Sequence, residues 1–203
     1  MRVKDCLFVG RLLQGDPAAE ITDVVYDSRQ VAPGALFVAL PGRRTDGHEH
    51  VGEAVARGAA AVVVERPVPV PAHVALIQTE SARGALGRLA AHLWRYPSRR
   101  LRVVGVTGTN GKTTTTHLIK AVLERQGHRV GLIGTVHTLM PGEERPASLT
   151  TPQASDLQRL LHQMAEAGCT YSVMEASSEG LDMNRVDDVE FDLGIFTNLT
   201  QDH

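Results

Sequence analysis

An apolar strand that runs into a glycine-rich turn is the feature that most constrains this chain. Residues 104–114 read VGVTGTNGKTT, and the turn ends in Gly111, Lys112 and Thr113. Glycines permit a tight turn with inward-facing N–H groups, and the helix after such a turn offers the positive end of its dipole. A lysine here can reach terminal phosphates, and a threonine hydroxyl can bind Mg²⁺. The segment therefore predicts a phosphate-binding loop, with ATP or GTP as the first expected ligand.

The loop is a variant of the standard phosphate-binding pattern. That pattern places a glycine six residues before the lysine, where this chain has Val106. A glycine-rich turn that binds nothing is the alternative interpretation. We favour a nucleotide site because the strand, glycines, lysine, threonine and helix follow one another in the required order. The predicted nucleotide-binding residues are Gly108, Thr109, Asn110, Gly111, Lys112, Thr113 and Thr114.

Composition describes an ordinary globular chain and argues against several classes of function. The 203 residues are 42% hydrophobic and 22% charged, with a formal net charge of -2. This charge gives no electrostatic basis for binding nucleic acid or an anionic membrane. No apolar run approaches the ~20 residues that span a bilayer, and Cys6 and Cys169 lack metal-ligand spacing. We therefore expect a cytoplasmic protein without nucleic acid or membrane partners, in which both cysteines are packing residues.

The first part of the chain has the pattern of a small α/β domain. Its predicted elements are strands at residues 36–40, 61–64 and 74–77, and helices near residues 50–57 and from Ser81, a plausible N-cap, to Trp94. A polar segment at residues 96–100 indicates a hinge. We therefore predict two domains, at residues 1–97 and 98–203.

The second part alternates strands and helices in the manner of a parallel sheet. Its predicted strands are residues 101–106, 129–133, 171–174 and 191–196. The helix after the glycine-rich turn carries Ile119, Val122 and Leu123 on one face. A second helix is expected from about residue 152, with Thr151 and Pro152 as its N-cap and first-turn residue. The predicted fold is α/β, with a small α/β domain followed by a P-loop-type domain built on a mostly parallel sheet.

Polar groups follow two of these predicted strands. Glu175 comes directly after residues 171–174, at the carboxyl edge where doubly wound sheets bind their ligands. It is therefore a second candidate anchor for Mg²⁺ beside Thr113. A carboxylate paired with a neighbouring base is the alternative. The last predicted strand runs into TNLTQDH at residues 197–203, whose polar groups could approach the same phosphates.

Two polar loops in the first part could hold a phosphate-bearing substrate. They are residues 27–29, Asp-Ser-Arg, and residues 42–48, and both flank an apolar strand. Turn chemistry is an equally good explanation, because Asp and Gly shape bends and Arg is readily solvated. The cluster His48, Glu49 and His50 resembles a metal site. Its two-residue spacing fits neither a helix face nor a zinc motif, so we expect it on the surface.

Six motifs in a fixed order resemble the Mur ligases. They are DSR at 27–29, PGALFVA at 33–39 with DGH at 46–48, TGTNGKT at 107–113, LTTP at 149–152, SSEGL at 177–181 with Arg185, and NLTQDH at 198–203. The resemblance covers essentially the whole chain. The LTTP and SSEGL motifs favour the family members that attach the third amino acid of the peptidoglycan peptide.

The resemblance implies a role for each matched residue. Lys112, Glu175 and His203 would be catalytic, and Thr113, Glu175 and His203 would bind metal. The residues implied in substrate binding are Ser28, Arg43, Arg44, Thr45, Thr150, Thr151, Ser177 and Arg185. Glu179 and Met183 depart from the family pattern, and Glu179 stands where members often have histidine.

The activity implied by the resemblance is amide formation that depends on ATP and Mg²⁺. ATP would phosphorylate the D-glutamyl carboxylate of UDP-N-acetylmuramoyl-L-alanyl-D-glutamate, and the amine of a diamino acid would then attack the acyl phosphate. Family members are longer than this chain. The resemblance therefore implies a monomeric N-terminal fragment, with a UDP-sugar domain at residues 1–97 and an incomplete ATP-binding domain at 98–203, that is inactive alone.

Two other functions fit part of the sequence. A folylpolyglutamate-synthetase-like ligase would share the phosphate-binding loop, but it gives no reason for the Asp-Ser-Arg motif of the first domain. A non-catalytic module that binds a nucleotide or a UDP-sugar would explain both domains without turnover. Binding of UDP-muramoyl dipeptide or of dihydrofolate separates the two ligases.

Overall fold

The chain folds into two compact units, each an α/β structure with its own mostly parallel sheet. The structure is a computed structural model that describes residues 1–42 and 45–200. The units are Met1–Leu93 and Trp94–His203. The polar segment in which we predicted the domain boundary forms a 3₁₀ helix, Pro97–Arg100, in the second unit. The α/β fold class with mostly parallel sheets is confirmed.

The first unit is built on a five-stranded sheet of order β1-β5-β4-β3-β2. Its strands are β1 Arg11–Gln14, β2 Asp23–Val25, β3 Ala35–Val38, β4 Ala61–Val64 and β5 Ala75–Gln78, and its helices are α1 Val51–Ala56 and α2 Ala82–Leu93. Three 3₁₀ helices, Val3–Val9, Ser28–Gln30 and Gly47–His50, complete it. Only β1 is antiparallel to its neighbour. The parallel strands all point their carboxyl ends to one edge.

The central strands of this sheet are apolar because helices cover both of their faces. Every residue of β3 and β4 is buried. Phe37 packs in one cluster with Val51 and Ala54 of α1. On α2, Leu86 and Leu89 are fully buried, and the Ser81 hydroxyl accepts a hydrogen bond from the N–H of Gly84, as expected of the predicted N-cap.

His48 is buried, and its predicted surface position was wrong. Only 6% of the residue is exposed. Its Nδ1 lies 2.6 Å from Asp46 Oδ1, and its Nε2 accepts the backbone N–H of Glu65 at 3.1 Å. The ring is buried here because its Nε2 supplies the hydrogen-bond acceptor that the backbone N–H of Glu65 needs. It thereby joins the loop after β3 to the loop after β4.

Asp46 should make the first unit sensitive to acid. Hydrogen bonds from the His48 backbone, from Arg66 and from the His48 ring hold the pKa of Asp46 well below its ordinary value of 3.8. A lowered folded-state pKa gives stability that is present above pH 3.8 and is lost as the pH falls toward the folded value. We expect Asp46→Asn to lower the free energy of unfolding at pH 7, and the difference from wild type to shrink below pH 4.

Urea titrations at pH 7 and at pH 3 measure both effects. Glu49→Gln is the control, because Glu49 is an exposed neighbour in the same 3₁₀ helix. A difference between Asp46→Asn and wild type that stays constant with pH would contradict the assignment.

The second unit contains a six-stranded sheet of order β11-β6-β10-β7-β8-β9. Its strands are β6 Arg102–Thr107, β7 Val130–Ile133, β8 His137–Met140, β9 Glu143–Pro146, β10 Tyr171–Glu175 and β11 Leu193–Phe196, and its helices are α3 Lys112–Arg125, α4 Ala154–Glu166 and α5 Ser178–Asp182. Strands β11, β6, β10 and β7 are parallel, and β8 and β9 form an antiparallel hairpin at the edge.

Helices α3 and α4 cover opposite faces of this sheet. Ile119 and Leu123 of α3 pack on a small cluster with Val104 of β6. Val122, which we predicted on the same face, is 57% exposed, because its side chain points away from the sheet. The predicted apolar face of α4 is confirmed, with Leu157, Leu161 and Met164 fully buried.

Cys6 and Cys169 are buried free thiols, in agreement with their predicted packing role, and burial raises the pKa of Cys6 to about 11. Among the residues that the structure describes, none of the helices combines the length and hydropathy needed to cross a bilayer.

Candidate functional site

The predicted nucleotide site lies at the carboxyl edge of the second sheet. Strand β10 lies between β6 and β7, so the loop after β6, Glu175 at the end of β10 and the turn after β7 are neighbours. They line a cavity of about 610 Å³, together with Thr150 and residues 177–179. This is the edge at which parallel α/β sheets bind their ligands.

Glycines shape the loop at two positions whose backbone angles would strain other residues. Gly108 has φ +127°, and a Cβ there would collide with Thr197 Oγ1 and approach Asn198 O to 2.9 Å. Gly111 has φ +86° and is the N-cap of α3. Both angles belong to the left-handed region that favours glycine. Val106, at the position where the standard pattern has glycine, is instead a buried residue of β6.

Lys112 is directed back onto this loop. Its Nζ donates to Gly108 O at 2.6 Å and to Thr109 O at 3.0 Å. An ammonium has three protons, so these bonds leave one for a ligand. The positive charge therefore already lies at the loop where phosphate would bind.

Glu175 is a buried carboxylate held by hydroxyl and amide donors. Only 1% of it is exposed. Thr113 Oγ1 lies 3.0 Å from each carboxylate oxygen, and Thr135 donates its N–H to Oε1 at 2.9 Å and its hydroxyl to Oε2 at 3.0 Å. No lysine, arginine or histidine of the described residues pairs with it. The partners of Glu175 in the described part of the chain are therefore hydroxyl and amide donors, and no base is among them.

These donors suit Mg²⁺, which prefers carboxylate, hydroxyl and phosphate oxygens. A buried negative charge without a cationic neighbour is costly, so a divalent cation would compensate Glu175. Thr113 and Glu175 would hold it. In the described part of the chain no group of three or more His, Cys, Asp and Glu side chains could hold a metal. Phosphate and water oxygens would complete the coordination.

Thr135 and Gly134 belong to this site, and the sequence analysis missed them. A Cβ on Gly134 would collide with Glu175 Oε1, so the turn after β7 is shaped around the carboxylate. The available signal was the Gly-Thr pair that follows a predicted strand at the same sheet edge. Its importance depends on β7 pairing with β10, which the sequence does not reveal.

The predicted N-cap role of Thr151 was wrong. Helix α4 begins at Ala154 with Gln153 as its N-cap. The Thr151 hydroxyl instead donates to Glu175 O at 3.0 Å and accepts the N–H of Ser177 at 2.9 Å. The hydroxyl therefore binds backbone groups at the end of β10 and does not cap α4. Ser177 Oγ in turn accepts the N–H of Gly180 and caps α5.

Arg185 is buried close to Thr151 and Glu179. The residue is 6% exposed, and its guanidinium donates to Thr151 O at 3.1 Å and to Glu179 Oε1 at 3.0 Å. Glu179, one of the two departures from the family pattern, is therefore the ion-pair partner of a predicted substrate-binding residue. Its side chain is 64% exposed at the cavity.

Residues 197–200, which follow β11, brace the glycine-rich loop, which here means that they form hydrogen bonds with residues 109 and 110. Asn110 O accepts from Thr197 Oγ1 at 2.7 Å, and Asn198 Oδ1 accepts the N–H of Asn110 at 3.0 Å. Thr200 N–H donates to Thr109 Oγ1 at 3.0 Å. These polar groups contact the glycine-rich loop itself, and their expected approach to bound phosphates stays a prediction. His203 lies outside the described residues.

Ser28 and Thr45, the described candidate residues of the first unit, lie in the segments that follow β2 and β3. Ser28 is 6% exposed, and its hydroxyl donates to Glu53 Oε2 at 2.7 Å. Asp27 accepts the backbone N–H and the guanidinium of Arg29, which lowers the pKa of Asp27. Turn chemistry thus accounts for Asp27 and Arg29. Thr45 is exposed, and Arg43 and Arg44 lie outside the described residues.

These features define the class of the protein, an α/β protein with a P-loop-type site at the edge of a parallel sheet. The chain belongs to the Mur ligase family. The model of the Mur ligase middle domain matches residues 106–203, and that of the Mur ligase family, catalytic domain, matches residues 20–94.

The chain is similar in sequence to curated relatives over nearly its whole length. It is 42% identical over 204 residues to the UDP-N-acetylmuramoyl-L-alanyl-D-glutamate--2,6-diaminopimelate ligase of Caldanaerobacter subterraneus, covering 100% of this chain and 42% of the relative. It is 50% identical over 194 residues to the UDP-N-acetylmuramyl-tripeptide synthetase of a Roseiflexus species, covering 91% and 37%. The chain thus spans about two fifths of the length of these relatives.

Solved structures show the same fold. A UDP-N-acetylmuramoyl-L-alanyl-D-glutamate--2,6-diaminopimelate ligase superposes with a TM-score of 0.83 at 28% identity, covering 100% of this chain and 41% of that one. The MurF ligase from Thermotoga maritima in complex with ADP superposes with a TM-score of 0.60 at 26% identity, covering 87% and 37%.

Proposed function

We propose that this chain carries the UDP-sugar-binding and ATP-binding parts of a ligase of peptidoglycan biosynthesis. The reaction would add a diamino acid to the D-glutamyl group of UDP-N-acetylmuramoyl-L-alanyl-D-glutamate. The observation that carries the proposal is the contact of Thr113 with the buried carboxylate of Glu175 beside the glycine-rich loop. The relative from Gloeobacter violaceus, a UDP-N-acetylmuramoyl-L-alanyl-D-glutamate--2,6-diaminopimelate ligase that is 48% identical over 188 residues, supports the substrate class.

The chemistry needs a better leaving group than a carboxylate oxygen. Transfer of the γ-phosphoryl group of ATP to the D-glutamyl carboxylate gives an acyl phosphate and ADP, and attack by the amine then forms the amide and releases phosphate. Phosphoryl transfer depends chiefly on positioning and charge neutralisation. The loop N–H groups and Lys112 would hold the phosphates, and bound Mg²⁺ supplies positive charge to their oxygens. No covalent nucleophile of the protein is required.

The other predicted residues would hold the second substrate. In the first unit Ser28, Arg43, Arg44 and Thr45 would contact the UDP-sugar. In the second unit the muramoyl-peptide would contact Thr150, Thr151, Ser177 and Arg185, and His203 would bind a second metal ion. We assign these roles to domains at residues 1–97 and 98–203, in a monomeric, cytoplasmic protein.

Calorimetric titration of the 203-residue chain tests this proposal. We expect binding of the ATP analogue AMP-PNP with Mg²⁺ and of UDP-N-acetylmuramoyl-L-alanyl-D-glutamate, and no binding of dihydrofolate. Binding should be weak and a ligation assay with diaminopimelate should show no turnover, because the chain spans only about two fifths of its relatives.

Two outcomes would contradict this function, and a third would contradict only the expected lack of turnover. A chain that binds neither ligand would reject the assignment. Binding of dihydrofolate in place of the UDP-sugar would favour a folylpolyglutamate-synthetase-like ligase. Measurable ligation would show that the chain alone is catalytic.

A further inference from the structure

Thr135 contacts two parts of the candidate site, the carboxylate of Glu175 and the hydroxyl of Thr150. Its backbone N–H and its hydroxyl reach the two oxygens of Glu175, at 2.9 and 3.0 Å. The same hydroxyl lies 3.1 Å from Thr150 Oγ1. Thr135 is exposed and lines the cavity, so a bound ligand could reach it. One small side chain therefore connects the buried carboxylate to the loop at residues 149–151.

Proton counting limits these hydrogen bonds. A threonine hydroxyl has one proton, and an ionised carboxylate can only accept. The Thr135 hydroxyl is placed to donate to Glu175 Oε2 or to Thr150 Oγ1, and it cannot donate to both at once. Thr113 also donates to Glu175, which leaves the lone pairs of its oxygen for a cation. The carboxylate of Glu175 and the hydroxyl of Thr150 therefore share a single donor, the Thr135 hydroxyl.

The backbone after β7 is built to bring Thr135 to this position. Gly134 lies so close to Glu175 that a Cβ would collide with Oε1. Since the turn can approach this closely, the amide of Thr135 becomes a donor to the same oxygen. The carboxylate is therefore held by α3 through Thr113 and by the β7 turn through Thr135.

We infer that Thr135 is a positioning residue that orients Glu175 toward the Mg²⁺-nucleotide site and couples it to Thr150. This inference rests on the proposed function of the site. Partners of metal ligands fix the geometry of those ligands, and their loss typically lowers metal affinity ~10- to 100-fold. Loss of the Thr135 hydroxyl should therefore weaken the part of nucleotide binding that depends on Mg²⁺, and spare the part that does not.

The test compares Thr135→Val, which keeps the backbone N–H and the β-branched shape, with Thr135→Ser, which keeps the hydroxyl. Affinity for AMP-PNP is measured with Mg²⁺ and with EDTA. We expect the Mg²⁺-dependent gain in affinity to fall ~10-fold in Thr135→Val and to be retained in Thr135→Ser. Thr170→Val is the matched control, because Thr170 is an exposed threonine that bonds the Arg129 carbonyl away from the cavity.

A double-mutant cycle with Thr150→Val tests the coupling. If Thr150 acts through Thr135, its substitution should change the Mg²⁺-dependent affinity in wild type and have no further effect in Thr135→Val. Additive effects would overturn the link to Thr150.

The remaining outcomes separate this inference from the proposed function. An unchanged Mg²⁺ dependence in Thr135→Val, or an equal loss with Mg²⁺ and with EDTA, would overturn the positioning role alone. A wild-type chain that binds no nucleotide would overturn the proposed function and this inference together.

Discussion

Replacing Lys112 by alanine is expected to lower the affinity of the chain for Mg-ATP about 100-fold. The reason is the loss of the ammonium that lies at the glycine-rich loop, where it already donates to the carbonyls of Gly108 and Thr109. One hydrogen bond between the ammonium and a charged phosphate, at about 3 kcal/mol, corresponds to roughly that factor. In a longer ligase that contains this segment, ATP-dependent amide formation should be abolished. Calorimetry with AMP-PNP measures the affinity.

Lys120→Ala is the control for this variant. Lys120 is on the same helix, α3, and its ammonium pairs with Glu124 at 2.5 Å. Its loss removes one positive charge from the helix without touching the loop, so the affinity should stay close to that of wild type. Unchanged nucleotide affinity in Lys112→Ala, with the melting temperature preserved, would show that the loop does not hold phosphate.

Glu175→Gln is expected to remove the Mg²⁺ dependence of nucleotide binding and to leave the fold intact. Glutamine has the same shape and can accept the Thr135 N–H, but it is a poor ligand for a hard cation. The variant should also unfold at a higher temperature without nucleotide, because it removes a buried charge that has no cationic neighbour in the described part of the chain. Binding of AMP-PNP with and without Mg²⁺, and thermal unfolding, measure the two effects.

Glu166→Gln is the matched control. Glu166 is an exposed carboxylate at the C-terminal end of α4, where it pairs with Arg100. It should change neither quantity by a measurable amount. If Glu175→Gln retained the full Mg²⁺ dependence, the metal role of this carboxylate would be rejected.

The local parts of the site could be predicted because their information is contiguous in the sequence. The glycine-rich turn, Lys112 and Thr113 follow one apolar strand, and the structure places them at the start of α3. Glu175 could be assigned to the same edge because parallel strands align their carboxyl ends. The contact between Thr113 and Glu175 agrees with that placement.

Features that depend on pairing between distant segments could not be predicted. The role of Thr135 arises only because β7 lies beside β10. His48 is buried because a backbone N–H seventeen residues later needs an acceptor. Strand β9 reads EERP and has no apolar residue pattern, so it is recognised only by its pairing with β8. In each case the deciding partner is remote in the sequence.

The bracing of the glycine-rich loop by residues 197–200 has a consequence for dissecting this protein. The loop at residues 108–111 is held by hydrogen bonds from a segment almost ninety positions later. A shorter piece that ended at β10 would keep every residue of the phosphate-binding motif and lose these hydrogen bonds. Under the proposed function, we therefore expect a shortened chain to retain the loop conformation for nucleotide only if it extends through Thr200, and not if it holds just the motif with its flanking strand and helix.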